Sequence, residues 1–434
     1  MSIICIDAME TYGKILLVAM PAFLVLVLFE KVYGAWKGKD TVRNLDMVSS
    51  LSSGVTNVVK DVLGLSIGII SYSWMVDHWA LVHINESLLV YTIAFLALDF
   101  SGYWVHRIAH QYNFFWNNHI IHHSSEEFNL ACALRQSISV FVRIFTFLLL
   151  PAAILGVPSQ VIAVVAPIHL FAQFWYHTQH IGKMGWLEKI IVTPSHHRVH
   201  HAINPEYLDK NYGQIFILWD KWFGTYQEEK PGIPCVYGIT RPVRTWNPIK
   251  INFQHLAVLL RDAWYTQSIK DKLRIWLMPT GWRPADVVNR FSIHKISDVY
   301  HFEKYDTNAS LLMHIWVWVQ LVVLLLITSF LFGNIASINK VNPFHIYWYG
   351  LFIFIMVYAY TDLMDRNRYA WIPESLKLLL GFYFIFTQGS WFGSVSLLTN
   401  FMAGYLILSW AITLFFIIQF KRESKVPELA AFSS

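Results

Sequence analysis

The sequence predicts an all-α, polytopic membrane protein: a bundle of membrane helices with a histidine-rich helical cap on its cytoplasmic face, holding a di-metal site. Three observations predict it. The 434 residues are 55% hydrophobic and only 14% charged, whereas ordinary globular domains are about 25% charged. Several apolar runs are long enough to cross a bilayer. Closely spaced histidines follow two of those runs, which predicts the cap and its metals.

The first part of the chain, residues 1–86, is predicted to contain membrane helices. Residues 14–29 form an apolar run that spans a bilayer when its flanks extend it. Four basic residues follow the run: Lys31, Lys37, Lys39 and Arg43. The positive-inside rule places them in the cytoplasm. Residues 47–76 are less apolar, because Lys60 and Asp61 interrupt them, and we interpret them as one crossing or a bent hairpin.

The second part, residues 87–230, is predicted to be the catalytic core. A helix over 87–105 ends at the first histidines. Two apolar runs, 137–155 and 159–176, are separated by Gly156 and Pro158, which favour a turn. They predict a helical hairpin that leaves and returns on the same side. If 47–76 crosses once, both histidine regions lie on the cytoplasmic side.

The remainder divides into a polar cytoplasmic segment, residues 231–310, and C-terminal membrane helices, residues 311–434. Residues 177–310 carry 17 of the 33 lysines and arginines, which supports a cytoplasmic placement. Four further spans are predicted in the last part: 311–332, 344–360, about 376–391 and 396–420. The positive charge is explained by membrane orientation, so we expect no nucleic-acid partner.

Eight histidines stand at spacings of one, three or four residues: His106 and His110; His119, His122 and His123; His197, His200 and His201. Residues three and four apart share a helix face, so each group can direct several imidazoles at one point. Neutral imidazole is the commonest metal-binding side chain. Eight histidines are more than one zinc ion needs, because a structural zinc binds four ligands and a catalytic zinc about three protein ligands. The number therefore favours a two-metal centre.

The donor type narrows the chemistry. Nitrogen-rich ligation suits iron, copper or zinc better than magnesium or calcium. The nearby acids do not form the Glu-x-x-His pattern of carboxylate-bridged di-iron bundles. We therefore favour two redox-active ions that activate dioxygen and attack an unactivated C–H bond of a bilayer lipid.

The motifs HRIAH, HIIHH and HRVHH resemble the three histidine boxes of the fatty acid hydroxylase and sterol desaturase superfamily of membrane di-iron enzymes. Two longer stretches, residues 122–137 and 193–226, resemble its alkylglycerol monooxygenase branch and bacterial relatives. The resemblance implies that the eight box histidines bind iron. Relatives recruit further histidines between the boxes, which adds His177 and His180. We interpret His169 as a packed or hydrogen-bonded helix residue.

Polar residues near the boxes are candidates for catalytic support. Asp99 lies two turns before His106, and an acid at membrane depth is functional by default. It is expected to orient a ligand imidazole, as outer carboxylates do. Glu126 and Asn129 follow the second box and are candidates for the same role or for helix caps. Two more candidates are Gln136 and Asp220, and for all four a structural role is at least as consistent with the sequence.

The resemblance implies a monooxygenase that uses dioxygen and an external reductant. In the alkylglycerol branch, hydroxylation beside the ether oxygen releases a fatty aldehyde and a glycerol, and tetrahydrobiopterin is the electron donor. One residue departs from that branch, because Gln111 stands after the first box where an acid is usual. This departure bears on ether cleavage and pterin use, and not on the two irons.

Two alternatives stay open at this point. One is a hydroxylase or desaturase of the same superfamily that acts on a fatty acyl chain, sterol or carotenoid and is fed by a ferredoxin or cytochrome. The other is a histidine-rich metal transporter, which predicts histidines inside the spans. We expect an integral membrane protein of a bacterial inner membrane or the endoplasmic reticulum.

Overall fold

The computed structural model describes residues 3–140 and 142–431, which are mainly helical. The N-terminal part contains α1 (Ile3–Trp36), α2 (Asn44–Val62), β1 (Ile67–Gly68), α3 (Tyr72–Trp79) and α4 (Leu88–Gln111). The C-terminal bundle contains α14 (Leu311–Gly333), α15 (Ile335–Val341), α16 (His345–Met364), α17 (Trp371–Gln388) and α18 (Ser396–Ala431).

Short elements connect these two parts. They are α5 (Asn113–Trp116), α6 (Ile120–His123), β2 (Val142–Arg143), α7 (Leu150–Ile154), α8 (Ser159–Phe171), α9 (Pro194–His200), α10 (Leu218–Trp222), α11 (Pro248–Tyr265), α12 (Ile269–Arg274) and α13 (Ala285–Val288). Three 3-10 turns complete them: Cys132–Leu134, Phe145–Leu149 and Gly185–Lys189. β1 and β2 pair in parallel.

Five helices in the described ranges are long and apolar enough to cross a membrane: Met9–Trp36, Leu88–Gln111, Leu311–Gly333, His345–Met364 and Ser396–Glu423. A helix needs about 20 apolar residues to span the hydrocarbon core. The all-α membrane bundle is thereby confirmed, and the chain is an integral, multi-pass membrane protein.

Two predicted spans differ from the structure. The span predicted at about 376–391 corresponds to α17, which is not among the five because its first turns carry Glu374 and Lys377. These two side chains form a buried ion pair, with 2.7 Å between Lys377 Nζ and Glu374 Oε1. The segment 47–76, predicted as one crossing or a bent hairpin, is not one continuous helix, since α2 ends at Val62 and β1 and α3 follow; these elements are compatible with the bent hairpin.

The hydrophobic residues form two main clusters. One joins α1 and α2 to the C-terminal bundle. The other joins α3, α4, α7 and α8. A cavity of about 960 Å³ is lined by α1 and α2 from the first cluster, by α8 from the second, and by residues within 133–140 and 142–146. The cavity therefore lies where the two packed units meet.

A buried ion pair fastens α2 to the segment that carries the second histidine motif. Arg135 Nη2 donates to Asp46 Oδ1 at 2.6 Å, and both side chains are almost fully buried. Arg135 also donates to Ser50 and Ser124, while Ser125 donates to Asp46. Because every partner is satisfied, this network fixes the position of residues 119–135 on α2.

Replacing one member of this pair is expected to destabilise the protein strongly. Arg135→Met leaves the Asp46 carboxylate buried and unpaired, which costs about 3–5 kcal/mol. The control is Arg274→Met, because Arg274 pairs with Asp271 at an exposed site, where ion pairs contribute less than about 1 kcal/mol. Thermal unfolding in detergent measures both variants, and equal stability would contradict the assigned role of the network.

Candidate metal centre

Three helical elements carry the histidines. His106 and His110 lie one turn apart near the end of α4, and His122 and His123 end α6. The third motif forms α9, which starts at a capping box on Thr193 with Pro194 in its first turn. Proline and a threonine cap both favour a helix start. The helix then presents its histidines over one and a half turns.

The histidines assemble into two groups. The nitrogens of group A lie within 4.8 Å of one another, as do those of group B. Group A contains His106, His110, His119, His123 and His200. Group B contains His122, His177, His197 and His201. Eight of the nine side chains are buried. The rings of His123 and His201 stack with 4.3 Å between their centroids, so the two groups are in direct contact.

The distances between Nε2 atoms match ligands around a common ion. In group A, His123 Nε2 lies 3.0 Å from His119, 3.1 Å from His110 and 3.1 Å from His200. In group B, His197 Nε2 lies 2.9 Å from His177 and 3.0 Å from His201. Two nitrogens that each lie about 2.1 Å from the same metal ion, with an angle of about 90° at the ion, are about 3.0 Å apart.

Hydrogen bonds on the far side of three rings show which nitrogen faces inward. His106 Nδ1 donates to the carbonyl of Tyr212, and His200 Nδ1 donates to the carbonyl of Lys210. His177 Nδ1 donates to a carbonyl in the same way. A neutral imidazole whose Nδ1 donates carries a lone pair on Nε2. These lone pairs converge, and a cation between them fits the donor set of each group.

Burial keeps the rings in the neutral form that binds metals. Six histidines outside α4 have a pKa well below 6.5. The main cause is the loss of solvation on burial, and the second is repulsion between neighbouring rings. These residues are His119, His122, His123, His197, His200 and His201. Burial lowers the pKa of His177 to about 4. These seven imidazoles are therefore unprotonated at neutral pH.

The loop of residues 209–216 holds the carbonyls that orient His106 and His200. Asp220, fully buried, accepts from the backbone N–H groups of Tyr212 and Gly213, each at 2.7 Å. A side chain at Gly213 would disturb this arrangement, because a Cβ would lie 2.7 Å from the carbonyl oxygen of Phe216 and 2.8 Å from the Asp220 carboxylate. Such support of ligand histidines is common at metal sites.

Asp99 holds the same loop and does not orient a ligand imidazole, which corrects the expectation from sequence. Its carboxylate accepts from Ile215 N, Phe216 N and Trp219 Nε1. Its only histidine partner among the described residues is His169, whose Nε2 lies 2.9 Å away. His169 is thus a hydrogen-bonded helix residue, as predicted.

Other sequence candidates also lie apart from the two groups. Glu126 accepts from the backbone N–H of Tyr305, and Asn129 donates to the carbonyl of Thr41. Neither forms a hydrogen bond to a histidine of either group within the described ranges. His180 packs against Tyr33 outside both groups. Gln111 is exposed. Sequence spacing could not place these residues, because their partners lie far along the chain.

Both groups border the cavity. It is lined by two histidines of group A and three of group B: His106, His119, His122, His177 and His197. Cavities of about 300–1,000 Å³ are typical of small-molecule sites. A lipid chain in this cavity would therefore reach both groups.

Comparison with known proteins agrees with this site. Residues 91–225 match the family model described as fatty acid hydroxylase. Alkylglycerol monooxygenase of Homo sapiens is 35% identical over 367 residues, which cover 83% of this chain and 80% of the human protein. The chain belongs to the alkylglycerol monooxygenase family.

Further relatives extend the comparison. The Xenopus tropicalis alkylglycerol monooxygenase is 37% identical over 264 residues, or 61% of this chain and 58% of that protein. Ornithine lipid hydroxylase OlsE of Rhizobium tropici is 27% identical over 145 residues, or 33% of this chain and 44% of that protein. No solved structure matches the chain with significance. As a member of this family, the chain is a membrane lipid monooxygenase.

Loosening the loop is expected to weaken metal binding. Asp220→Asn replaces one acceptor with an amide that faces the backbone N–H donors of Tyr212 and Gly213, so the carbonyl that orients His106 shifts. Loss of such support typically lowers metal affinity about 10- to 100-fold. The control is Asp298→Asn at an exposed site. Metal affinity measured by competition with a chelator tests this, and unchanged affinity in Asp220→Asn would refute the role of the loop.

Proposed function

We propose that this chain is a di-iron monooxygenase that hydroxylates the carbon beside the ether oxygen of an alkylglycerol. The observation that carries the proposal is a largely apolar cavity bordered by both histidine groups. The named activity of the relatives supports the substrate class. In this proposal residues 87–230 form the catalytic core, and the flanking membrane helices enclose it.

Nine histidines would hold the two irons, five in group A and four in group B. All-imidazole ligation is compatible with iron, copper and zinc, and the family resemblance selects iron. Bound irons would supply the activation of dioxygen and the oxidising power that an unactivated C–H bond requires. The protein holds the substrate carbon near both groups, excludes water from the buried rings and keeps those rings neutral.

The proposed reaction balances with one dioxygen, two electrons and two protons. One oxygen atom enters the C–H bond beside the ether oxygen, and the other leaves as water. The resulting hemiacetal transfers its hydroxyl proton to the ether oxygen as the C–O bond breaks. The products are a fatty aldehyde and a glycerol.

The shape of the cavity suits a single lipid chain. Its wall on α1 extends from Tyr12 to Leu24, about 18 Å at the helical rise of 1.5 Å per residue. One leaflet of a bilayer is about 15 Å deep, half of the 30 Å hydrocarbon core. Leu170 and Phe171 line the cavity and are also exposed at the protein surface. We propose that they form the rim through which a lipid enters from the bilayer.

The proposal also includes the electron donor and the side of the membrane on which the histidine groups lie. The family resemblance supports a reduced pterin, tetrahydrobiopterin, as electron donor. The lysines and arginines of residues 177–310, together with the four that begin at Lys31, support a cytoplasmic position for both histidine groups.

The test uses an alkylglycerol with both hydrogens replaced by deuterium at the carbon beside the ether oxygen. Purified iron-loaded protein with dioxygen and tetrahydrobiopterin is expected to release an aldehyde that keeps one deuterium, because hydroxylation removes the other. Mass spectrometry of the product measures this, and a His123→Ala variant is the inactive control.

Two results would contradict the proposal. A hydroxylated lipid that keeps both deuterium atoms would indicate attack at another carbon, as in an acyl chain hydroxylase. No reaction with the pterin, but turnover with a ferredoxin or a cytochrome, would overturn the proposed reductant and keep the proposed substrate.

A further inference from the structure

Three glutamines line the cavity, and two of them, Gln173 and Gln214, lie beside the histidine groups. The backbone carbonyl of Gln173 accepts from His177 of group B. Gln214 lies two residues after Tyr212, whose carbonyl accepts from His106 of group A. The amide pair therefore lies close to the backbone supports of the two groups, in the part of the cavity where the proposed reaction occurs.

His169 fixes which way these amides point. Gln173 Nε2 lies 3.2 Å from the backbone carbonyl oxygen of His169, which can only accept a hydrogen bond. Gln173 therefore presents its N–H groups to His169 and not its oxygen. The ring of His169 is itself held by Asp99, with 2.9 Å between His169 Nε2 and Asp99 Oδ1.

The same amide group of Gln173 donates to Gln214 Oε1, at 3.3 Å. This bond fixes the orientation of Gln214 in turn. The hydrogen bonds of the described residues involve neither Gln173 Oε1 nor Gln214 Nε2. Gln173 and Gln214 both line the cavity, so one acceptor and one donor of this amide pair stay available there, and an alcohol can both donate and accept.

We infer that Gln173 and Gln214 bind a free hydroxyl of the glycerol, and so hold the ether carbon against the two histidine groups. The inference rests on the proposed function and deepens it, because it assigns the residues that distinguish an alkylglycerol from a plain ether or hydrocarbon. The hydroxyl donates to Gln173 Oε1 and accepts from Gln214 Nε2, while the apolar remainder of the cavity takes the alkyl chain.

The experiment measures equilibrium binding without reductant, so that it does not depend on turnover. Two probes have the same chain and ether: hexadecylglycerol, and hexadecyl propyl ether, which has no hydroxyl. The iron-loaded wild type is expected to bind hexadecylglycerol about tenfold more tightly than the plain ether, because the plain ether leaves the two half-buried amides unpaired. Gln173→Met and Gln214→Met are expected to bind both probes with similar Kd.

The matched control is Gln179→Met. Gln179 has an intermediate exposure like that of Gln173, but it donates to the carbonyl of Phe128 and does not line the cavity. It is expected to keep the tenfold preference. Unchanged iron content and melting temperature in the Gln173 and Gln214 variants show that they fold.

The outcomes separate the inference from the proposed function. A tenfold preference that survives in both cavity variants overturns the assigned hydroxyl site, even if alkylglycerol is turned over. Equal binding of both probes by the wild type also overturns it. A preference lost only in the cavity variants supports the hydroxyl site, and failure of that same protein to cleave hexadecylglycerol would then refute the proposed reaction alone.

Discussion

The structure depends on one electrostatic constraint: nine imidazoles, eight of them buried, have nitrogens that converge in two small groups. His123 Nε2 alone has three other Nε2 atoms within 3.1 Å. A ring nitrogen carries one proton or one lone pair, so it cannot form three hydrogen bonds at once. Protonation would relieve the repulsion between lone pairs, but burial opposes it by lowering the pKa of these rings. A metal ion in each group would remove the repulsion without adding a proton.

Much of the fold keeps these rings in place. The loop of residues 209–216 contributes carbonyls to His106 and His200, and two fully buried carboxylates, Asp99 and Asp220, hold that loop by its N–H groups. On the opposite side, the Asp46–Arg135 pair fastens the second histidine motif to α2. The C-terminal helices α14 and α16 pack against α2, so they support the metal centre and, through Leu325, line the cavity.

The sequence predicted which histidines gather but not how they divide. Helical spacing brought together the eight box histidines, and the family resemblance added His177. The structure then assigns His122 and His123 to different groups, and it does the same with His200 and His201. Adjacent residues on a helix lie about 100° apart, so each doublet faces two centres at once. His180 belongs to neither group, because it lies beyond the turn after α8 and packs against Tyr33 of α1.

The polar supports were less accessible to sequence reasoning. Asp99 is two turns from His106 on one helix, which suggested a direct contact, yet its carboxylate reaches the backbone of residues 215 and 216. The carbonyls of Lys210 and Tyr212 have no side-chain signature at all. The span predicted at about 376–391 is less apolar than expected once the whole of α17 is considered. Its apolar run begins only after Lys377, which pairs with Glu374 inside the bundle. Contacts between distant segments decided the cases of Asp99 and of the two carbonyls, whereas a local ion pair decided the case of α17.

The most direct test of the account is the metal content of the purified protein, beside that of His122→Ala and His123→Ala. These neighbouring histidines belong to different groups, so each substitution weakens one site and leaves the other with its ligands. The account predicts two irons per chain in the wild type and about one in each variant. A single zinc in the wild type, or no tightly bound metal in any of the three proteins, would contradict the di-iron centre.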